Sequence, residues 1–274
     1  MKTLNSTQLT IICNPIHNVE WPVPNVLAFT TTRNNPTSSN QTRLSASNAA
    51  FNHFNLGLHV GDDPQQVLTH RHDLLSQLPE NTQIQWLEQI HGAKVLSIES
   101  HSKQALIADA IITRKKNIAL AIMAADCLPI LLTAKDGSEI AAIHGGWKPL
   151  SKNIIANTVN KMTTPNKDIS VWLGPCISKL AFEVGEEVKS AFVNQSNSFA
   201  AAFTLSLPTS DQQYKKSQTK YLADLPLIAK IQLNDLGIEN VHHLEHCTYT
   251  DESQYFSYRR ENITGRMASI ICLV

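Results

Sequence analysis

The chain has 274 residues, with 23 Lys and Arg against 23 Asp and Glu, so its formal net charge is zero. One large domain can reach this length, and we expect residues 1–274 to form a single domain. A balanced charge excludes a broad attraction to nucleic acid or to an anionic membrane, so the expected partner is a small molecule.

The first half of the chain predicts a strand, a polar loop, a helix and then several strands. Residues before Pro15 lack the apolar core of a secretory signal, which favours a cytoplasmic protein. Residues 26–32 form a β-branched run that leads into a polar loop over 33–47. Asp63 and Pro64 are typical of a helix start, and we expect that helix to end near Leu78. Short apolar runs predict four adjacent strands, near residues 84–90, 93–98, 108–113 and 118–124.

The second half alternates strands with helices, as α/β folds do. The apolar run over 118–134 is interrupted by Asp126 and Pro129, which indicates two buried strands joined by a bend rather than a membrane span. Three further strands are predicted, over residues 139–143, 169–173 and 267–273. Three helices are predicted: one capped by Ser151 and running through Met162, one over 186–203, and one from Asp224 to Gly237. Residues 205–220 show no periodicity and predict an exposed loop.

Three apolar segments end on a side chain that can bind a metal and are followed at once by Gly or Pro. They are QIHG with His91, ADCLP with Cys127 and HGGW with His144. Ends of strands hold side chains rigidly, while Gly and Pro turn the backbone away and leave room for a ligand. The five cysteines show no CxxC spacing, which indicates reduced thiols. We therefore expect His91, Cys127 and His144 to converge.

Two imidazoles and one thiolate suit Zn²⁺, which accepts N and S donors and keeps an open fourth position in catalytic sites. Copper also accepts imidazole and thiolate, so copper stays an alternative. A second alternative uses no metal, with Cys127 as a nucleophile and His144 as its base. A third is a non-catalytic zinc-binding module in which His246 or Cys247 closes the fourth position. Burial of Cys127 as an ordinary core residue is the plain alternative to all three.

Motifs along most of the chain resemble those of the YfiH-like family, also called the polyphenol oxidase or laccase-domain family. The resemblance spans about residues 26–274. It is carried by FTTTR at 29–33, NLGLHVGDD at 55–63, QIHG at 89–92, ADCLP at 125–129, HGGW at 144–147, LGP at 173–175, FEVGEEV at 182–188, CTY at 247–249, FSYRR at 256–260 and TGRMA at 264–268.

This resemblance implies an α/β fold with packed mixed β-sheets flanked by helices and a zinc ion held by His91, Cys127 and His144. It also implies one of several activities. These are phosphorolysis of adenosine, inosine or methylthioadenosine, deamination of adenosine, copper-dependent polyphenol oxidation, and hydrolysis by a Cys and His pair. Multicopper oxidation needs clustered histidines, and the eleven His of this chain are mostly scattered. A purine nucleoside enzyme, acting as a monomer or homodimer, is therefore the favoured hypothesis.

Further residues are candidates for the nucleoside reactions. Asp126 and His59 are candidates for the proton transfer of deamination, with Asp126 as a catalytic residue and His59 also as a substrate-binding one. The plain alternatives are that Asp126 caps a turn or fixes a ligand and that His59 is a surface residue of a strand. Phosphorolysis needs guanidinium groups to hold phosphate, and Arg33, Arg259 and Arg260 are the predicted source. The chain departs from the family pattern at residues 34–36 (NNP), where a Gly-rich turn is expected, and at Lys148 and Pro149 after HGGW. Neither departure removes a predicted metal ligand.

Overall fold

A computed structural model of the chain describes residues 15–23, 25–37, 49–51, 53–207 and 219–274. The strands in these residues are, in chain order, β1 (Ile16–Asn18), β2 (Val26–Thr31), β3 (Gln83–Gln85), β4 (Leu87–Glu88), β5 (Val95–Ile98), β6 (Leu106–Ile107), β7 (Ala110–Thr113), β8 (Ile118–Ala124), β9 (Leu128–Ala134), β10 (Ile140–Gly145), β11 (Ile169–Leu173), β12 (Glu183–Gly185), β13 (Phe203–Leu205), β14 (Lys220–Ala223), β15 (Val241–His243) and β16 (Met267–Leu273). The α-helices are α1 (Pro64–Leu75), α2 (Trp147–Ser151), α3 (Ile154–Val159), α4 (Glu186–Val193) and α5 (Leu225–Asp235).

Two mixed sheets form the centre of the fold. One has five strands in the order β1-β2-β16-β8-β3, and the other has six in the order β15-β11-β9-β10-β7-β5. Alternate residues of β8 point to opposite faces, as the two-residue period of a strand requires. Leu120 and Ile122 pack between the sheets against Leu131 of β9, while Ala119 and Ala121 pack on the opposite face with Leu74 of α1.

Helices cover the outer face of the six-stranded sheet. Leu150 of α2, Ile155 of α3 and Ile228 of α5 share one apolar cluster with Ile130 and Ile143 of the sheet. The molecule is therefore layered as helix, sheet, sheet and helices, which confirms the predicted α/β fold with packed mixed sheets and flanking helices. Within the residues that the structure describes, no helix is long and apolar enough to cross a membrane.

Where the local pattern is strong, the predicted elements are confirmed. The run over 118–134 forms β8 and β9 with a bend between them, and every residue of both strands is buried. Asp63 caps α1 by accepting a hydrogen bond from the backbone N–H of Gln65, and Asp224 caps α5 through Leu227. The strands near both ends of the chain, β2 and β16, pair with each other in antiparallel register.

The strand prediction over 84–90 is confirmed in part: the run forms two short strands, because the chain passes from one sheet to another at Trp86. β3 pairs with β8 in the five-stranded sheet, whereas β4 pairs with β6 in a separate two-stranded sheet. The four predicted strands are therefore not all neighbours: β5 pairs with β7, while β8 lies in the other main sheet. Pairing between strands is a tertiary property that the local pattern does not determine.

Two helix predictions also need correction. Ser151 does not cap a helix start: it is the last residue of α2, and its hydroxyl donates to the carbonyl of Lys148. The next helix, α3, begins after Asn153, whose backbone is left-handed at φ +58°. The predicted helix over 186–203 ends at Val193, because Ser196 caps a short 3₁₀ turn that leads into β13. The loops predicted over 33–47 and 205–220 lie mostly outside the described residues, which leave out 38–48 and 208–218.

Candidate metal centre

Three separate segments bring His91, Cys127 and His144 together at one edge of the two sheets. Cys127 lies in the crossover between β8 and β9, where the chain leaves the five-stranded sheet for the six-stranded one. His144 lies near the end of β10 and pairs in register with Pro129 of β9. His91 follows β4 in a left-handed backbone conformation at φ +54°. Pairing of β9 with β10 therefore sets Cys127 beside the HGGW segment.

The three side chains are close enough to hold one ion. Their ligand atoms all lie within 4.8 Å of one another, and no other such group of three or more occurs among the residues described. The Sγ of Cys127 is 3.9 Å from Nε2 of His91, and the two imidazole rings meet edge to face with centroids 4.6 Å apart. His144 is buried, Cys127 is half-buried and His91 is exposed. The group therefore opens to solvent on the His91 side.

The donor set and the space around it fit a tetrahedral ion. Zinc bonds of about 2.3 Å to sulfur and about 2.0 Å to nitrogen place those two ligand atoms roughly 3.5 Å apart. The observed 3.9 Å between Cys127 and His91 reaches that value with a small side-chain rotation. A side chain at Gly146 would fill this space, since its Cβ would lie 3.0 Å from the sulfur of Cys127 and 3.4 Å from Cδ2 of His91. The donor set and the space that Gly146 leaves open together fit a metal site.

Asp109 ties two of the three segments together. One carboxylate oxygen accepts hydrogen bonds from Nδ1 of His144 at 2.8 Å and from the backbone N–H of His91 at 2.9 Å. The other accepts from the backbone N–H of Gly92 at 2.7 Å. With Nδ1 engaged, Nε2 of His144 is the nitrogen left for a ligand. A carboxylate that orients a histidine ligand in this way is typical of metal sites.

Sequence reasoning missed Asp109, although the chain contains a signal for it. Asp109 is the only charged residue in the run LIADAIIT over 106–113, and its side chain is fully buried. A buried carboxylate needs hydrogen-bond donors, so an isolated acid in an apolar run indicates a polar site. Its donors here are themselves at the candidate centre.

Cys127 and His144 each shift the pKa of the other. Burial raises the pKa of the Cys127 thiol, but the charge and hydrogen bond of His144, with a contribution from His91, outweigh burial and lower it to about 6. Burial lowers the pKa of His144, but the Cys127 thiolate and Asp109 outweigh burial and raise it to about 9. At neutral pH without metal, the pair is therefore a thiolate and an imidazolium. Both thiolate and imidazole are forms that metals bind.

Asp126 holds the bend that presents Cys127. Its backbone is left-handed at φ +98°, a conformation that costs a non-glycine residue about 1–3 kcal/mol unless its surroundings impose it. The two carboxylate oxygens each accept a hydrogen bond at 2.7 Å, one from the hydroxyl of Thr248 and one from the backbone N–H of Arg259. These bonds anchor the bend to the segment that contains FSYRR.

The predicted substrate-binding residues lie in two places: His59 is near Arg71 and Arg266, whereas Arg33, Arg259 and Arg260 are at the FSYRR segment. The side chain of His59 is exposed but loses part of its hydration to neighbouring residues. This partial desolvation, followed by the positive charges of Arg266 and Arg71, lowers its pKa. Arg33 stacks on the ring of Phe256 at 4.8 Å and donates to the carbonyl of Glu252. His59 is therefore next to two arginines that sequence reasoning did not assign.

Arg259 and Arg260 lie in a turn. The guanidinium of Arg259 donates to the carbonyl of Glu183 and stacks on Phe182 at 5.3 Å. The guanidinium of Arg260 donates to three backbone carbonyls within 3 Å, those of Thr248, Tyr249 and Tyr255. Both arginines thus brace loops around the crossover, and their predicted role toward substrate stays a prediction.

His246 and Cys247, the candidates for a closing fourth ligand, are not part of the described cluster. Nδ1 of His246 hydrogen-bonds to the hydroxyl of Tyr255, and Sγ of Cys247 accepts from the backbone N–H of Ser178. Both line a separate cavity of about 330 Å³ that contains none of the three cluster residues. The described residues therefore leave the fourth position open.

Known proteins share this fold and sequence over nearly the whole chain. A purine nucleoside phosphorylase of Haemophilus influenzae is 40% identical over 257 residues, covering 93% of this chain and 97% of that protein. The purine nucleoside phosphorylase YfiH of Escherichia coli is 35% identical over 256 residues, with the same coverage. The crystal structure of Neisseria meningitidis protein NMB0706 superposes with a TM-score of 0.83 at 35% identity, covering 95% of this chain and 99% of that one. A family model described as multi-copper polyphenol oxidoreductase laccase matches residues 31–274. The chain therefore belongs to the family described as multi-copper polyphenol oxidoreductase laccase, and it is similar to a YfiH protein over 93% of its length.

Proposed function

We propose that the chain is a zinc-dependent purine nucleoside phosphorylase that acts on adenosine, inosine or methylthioadenosine. The observation that carries the proposal is the meeting of His91, Cys127 and His144, with their ligand atoms within 4.8 Å of one another on a side open to solvent. The relatives from Haemophilus influenzae and Escherichia coli, which are named purine nucleoside phosphorylases, support the choice of substrate class.

Zinc is the proposed ion because one thiolate and two imidazoles form a donor set that it favours. It would be held by His91, Cys127 and His144, and when bound it would supply a positive charge that polarises a neighbouring oxygen. Copper accepts the same donors, so metal analysis has to decide between the two.

Residues of the chain itself divide the remaining tasks. Asp109 orients the imidazole of His144 through a 2.8 Å hydrogen bond, and Asp126 holds the bend that presents Cys127. The exposed side of His91 leaves room for a nucleoside to approach the centre. His59 has a lowered pKa, so its imidazole is largely neutral at pH 7 and is able to exchange a proton with a substrate.

Phosphorolysis breaks the bond between C1′ of the sugar and the purine nitrogen, while a phosphate oxygen forms a new bond to C1′. The purine leaves with the electron pair and takes up a proton. Two needs follow from this chemistry: cationic donors must hold the phosphate, and a proton donor must face the purine. Arginines at the rim of the centre are the proposed donors that hold the phosphate. His59 is the candidate that delivers a proton to the purine.

A cysteine hydrolase is the second candidate function. The specific observation in its favour is the Cys127 thiolate, whose pKa is lowered to about 6 beside an imidazolium at His144. A thiolate next to a histidine is the arrangement of nucleophilic cysteines. A bound metal would occupy the same sulfur, so the two functions exclude each other at one centre.

The test is a metal analysis of the purified protein together with nucleoside turnover, with and without phosphate. We expect zinc close to one per chain, and adenine from adenosine only when phosphate is present. Inosine that forms without phosphate would instead indicate deamination, which stays a separate prediction. Oxidation of phenols that appears on copper loading, without nucleoside turnover, would favour the polyphenol oxidase.

Variants separate the metal and cysteine mechanisms. Cys127→Ala and His144→Ala should lose zinc and turnover together, whereas Cys247→Ala and His72→Ala, which lie outside the cluster, should keep both. If Cys127→Ala keeps zinc at full occupancy but loses turnover, the sulfur acts as a nucleophile and the proposal fails.

A further inference from the structure

Two arginines beside the candidate metal centre have no acidic partner. Arg71 lies on α1, and Arg266 directly precedes β16. In the part of the chain that the structure describes, no carboxylate oxygen lies within 4.0 Å of either guanidinium. A partly buried cation with no carboxylate in contact is costly, so such a pair points to an anion that binds from outside the protein.

Arg71 is held in place by contacts that leave part of its guanidinium free. The group stacks on the indole of Trp86 at 3.9 Å. Its Nε donates to the carbonyl of Leu56 at 2.9 Å, and Nη2 approaches the sulfur of Met123 at 3.8 Å. Nη1 makes no hydrogen bond to any described residue. The side chain is therefore fixed with one donor available to a ligand.

Arg266 is fixed by the same segment of chain. Its backbone N–H donates to the side-chain oxygen of Asn55, and its Cγ would lie only 2.9 Å from a Cβ at Gly57. Nη1 donates to the carbonyls of Thr264 and Gly265, while Nε and Nη2 bond to no described residue. Residues 55–57 therefore hold both arginines, since the carbonyl of Leu56 binds Arg71 and the side chain of Asn55 binds the backbone of Arg266. We call these three residues the clamp; a side chain at Gly57 would collide with that of Arg266.

Both guanidinium groups lie at the end of β8, next to the crossover that presents Cys127. Met123, which Arg71 contacts, is the penultimate residue of β8, and Met267, which follows Arg266, pairs with Ala124. Burial lowers the pKa of Arg266, and the nearby negative charges of Cys127 and Asp126 offset part of that lowering. The two arginines are therefore beside the metal centre rather than on a remote surface.

His59 follows the clamp at residues 55–57 by two residues and adds a neutral imidazole to the two cations. Both Arg266 and Arg71 act on its imidazole, and Glu88 is the acid that acts on it in the opposite sense. Burial lowers the pKa of Arg71 to about 10, so the guanidinium stays charged at pH 7. A neutral imidazole donates one N–H, and two guanidinium groups offer further N–H donors, which together match the several oxygens of a tetrahedral anion.

We propose that Arg71, Arg266 and His59 bind inorganic phosphate next to the metal centre. The identification of phosphate as a substrate rests on the proposed phosphorylase function, while the anion site itself rests on the unpartnered guanidinium groups. In this position, the phosphate oxygen that attacks C1′ is held beside the nucleoside. The attacking oxygen of hydrogen phosphate loses its proton as it bonds to C1′, and His59 passes that proton to the purine nitrogen that leaves with the electron pair, while the two guanidinium groups stay charged.

The experiment measures phosphate binding and the KM for phosphate in the metal-containing protein. Arg266→Gln removes free donors without touching residues 55–57, and Arg71→Lys keeps the charge but loses the planar fork. Loss of one or two charge-assisted hydrogen bonds should raise the Kd and the KM for phosphate by about 10- to 100-fold. Arg114→Gln is the control, because Arg114 is half exposed and is paired with Glu99.

Each outcome decides one question. A folded Arg266→Gln protein whose KM for phosphate stays within twofold of the parent overturns the site, even if phosphorolysis is confirmed. Arginine-dependent phosphate binding without any nucleoside cleavage leaves the site standing and removes the proposed function. AMP is the second probe: if AMP binds through the arginines and inorganic phosphate does not, the site is one for a nucleotide phosphoryl group and the proposal is overturned.

Discussion

Asp109→Asn is the sharpest probe of how the metal centre is organised. Oδ1 of Asp109 accepts two hydrogen bonds, from His144 and from the backbone of His91, and Oδ2 accepts one from Gly92. Asparagine has nearly the same shape, but one oxygen becomes an NH₂ group that has to face a donor. The least costly orientation keeps the two bonds at Oδ1 and loses the one to Gly92.

The expected magnitude follows from that single lost bond. A hydrogen bond to a charged group contributes about 1.5–3 kcal/mol. Removing a carboxylate that orients a histidine ligand weakens metal binding by about 10- to 100-fold, which corresponds to about 1.4–2.7 kcal/mol. The two ranges agree, so we expect the Kd for zinc to rise by one to two orders of magnitude.

The assay is competition for zinc against a chelating dye, with Asp136→Asn as the control. Asp136 is exposed and bonds only within its own turn, so its substitution should leave the Kd unchanged. Thermal unfolding of the metal-free proteins shows whether Asp109→Asn folds. A folded variant whose zinc Kd stays within twofold of the parent would refute the orienting role of Asp109.

Two further predictions concern the same centre. The raised pKa of His144 keeps its imidazole protonated up to about pH 9, so a metal ion that binds at pH 7 has to displace that proton. The log Kd for zinc should therefore fall by about one unit per pH unit between pH 7 and 9. Calorimetry in buffers of different ionisation enthalpy should report that proton, and a pH-independent Kd would contradict the prediction. Gly146→Ala should weaken zinc binding by about 10-fold, because its methyl group would press on Cys127 at 3.0 Å. Gly237→Ala, at φ +72° in open space, is the control and should cost about 1 kcal/mol of stability without affecting zinc.

Several features of this protein follow from the sequence alone, since they depend on neighbouring residues. The alternating strand and helix patterns predicted the α/β class, and Asp63 and Asp224 marked helix starts that the structure confirms. The apolar run broken at Asp126 predicted two buried strands with a bend. Residue chemistry selected His91, Cys127 and His144, which the fold brings together.

Only the tertiary structure decided which distant groups meet. The sequence does not show that β8 and β9 belong to different sheets, which is what places Cys127 at a crossover. Nor does it show that Asp109 serves two histidine segments, or that Arg71 and Arg266 share one clamp at residues 55–57. The physical reason is that strand pairing and the partners of buried charges are set by contacts between residues far apart in the chain, which local periodicity does not encode.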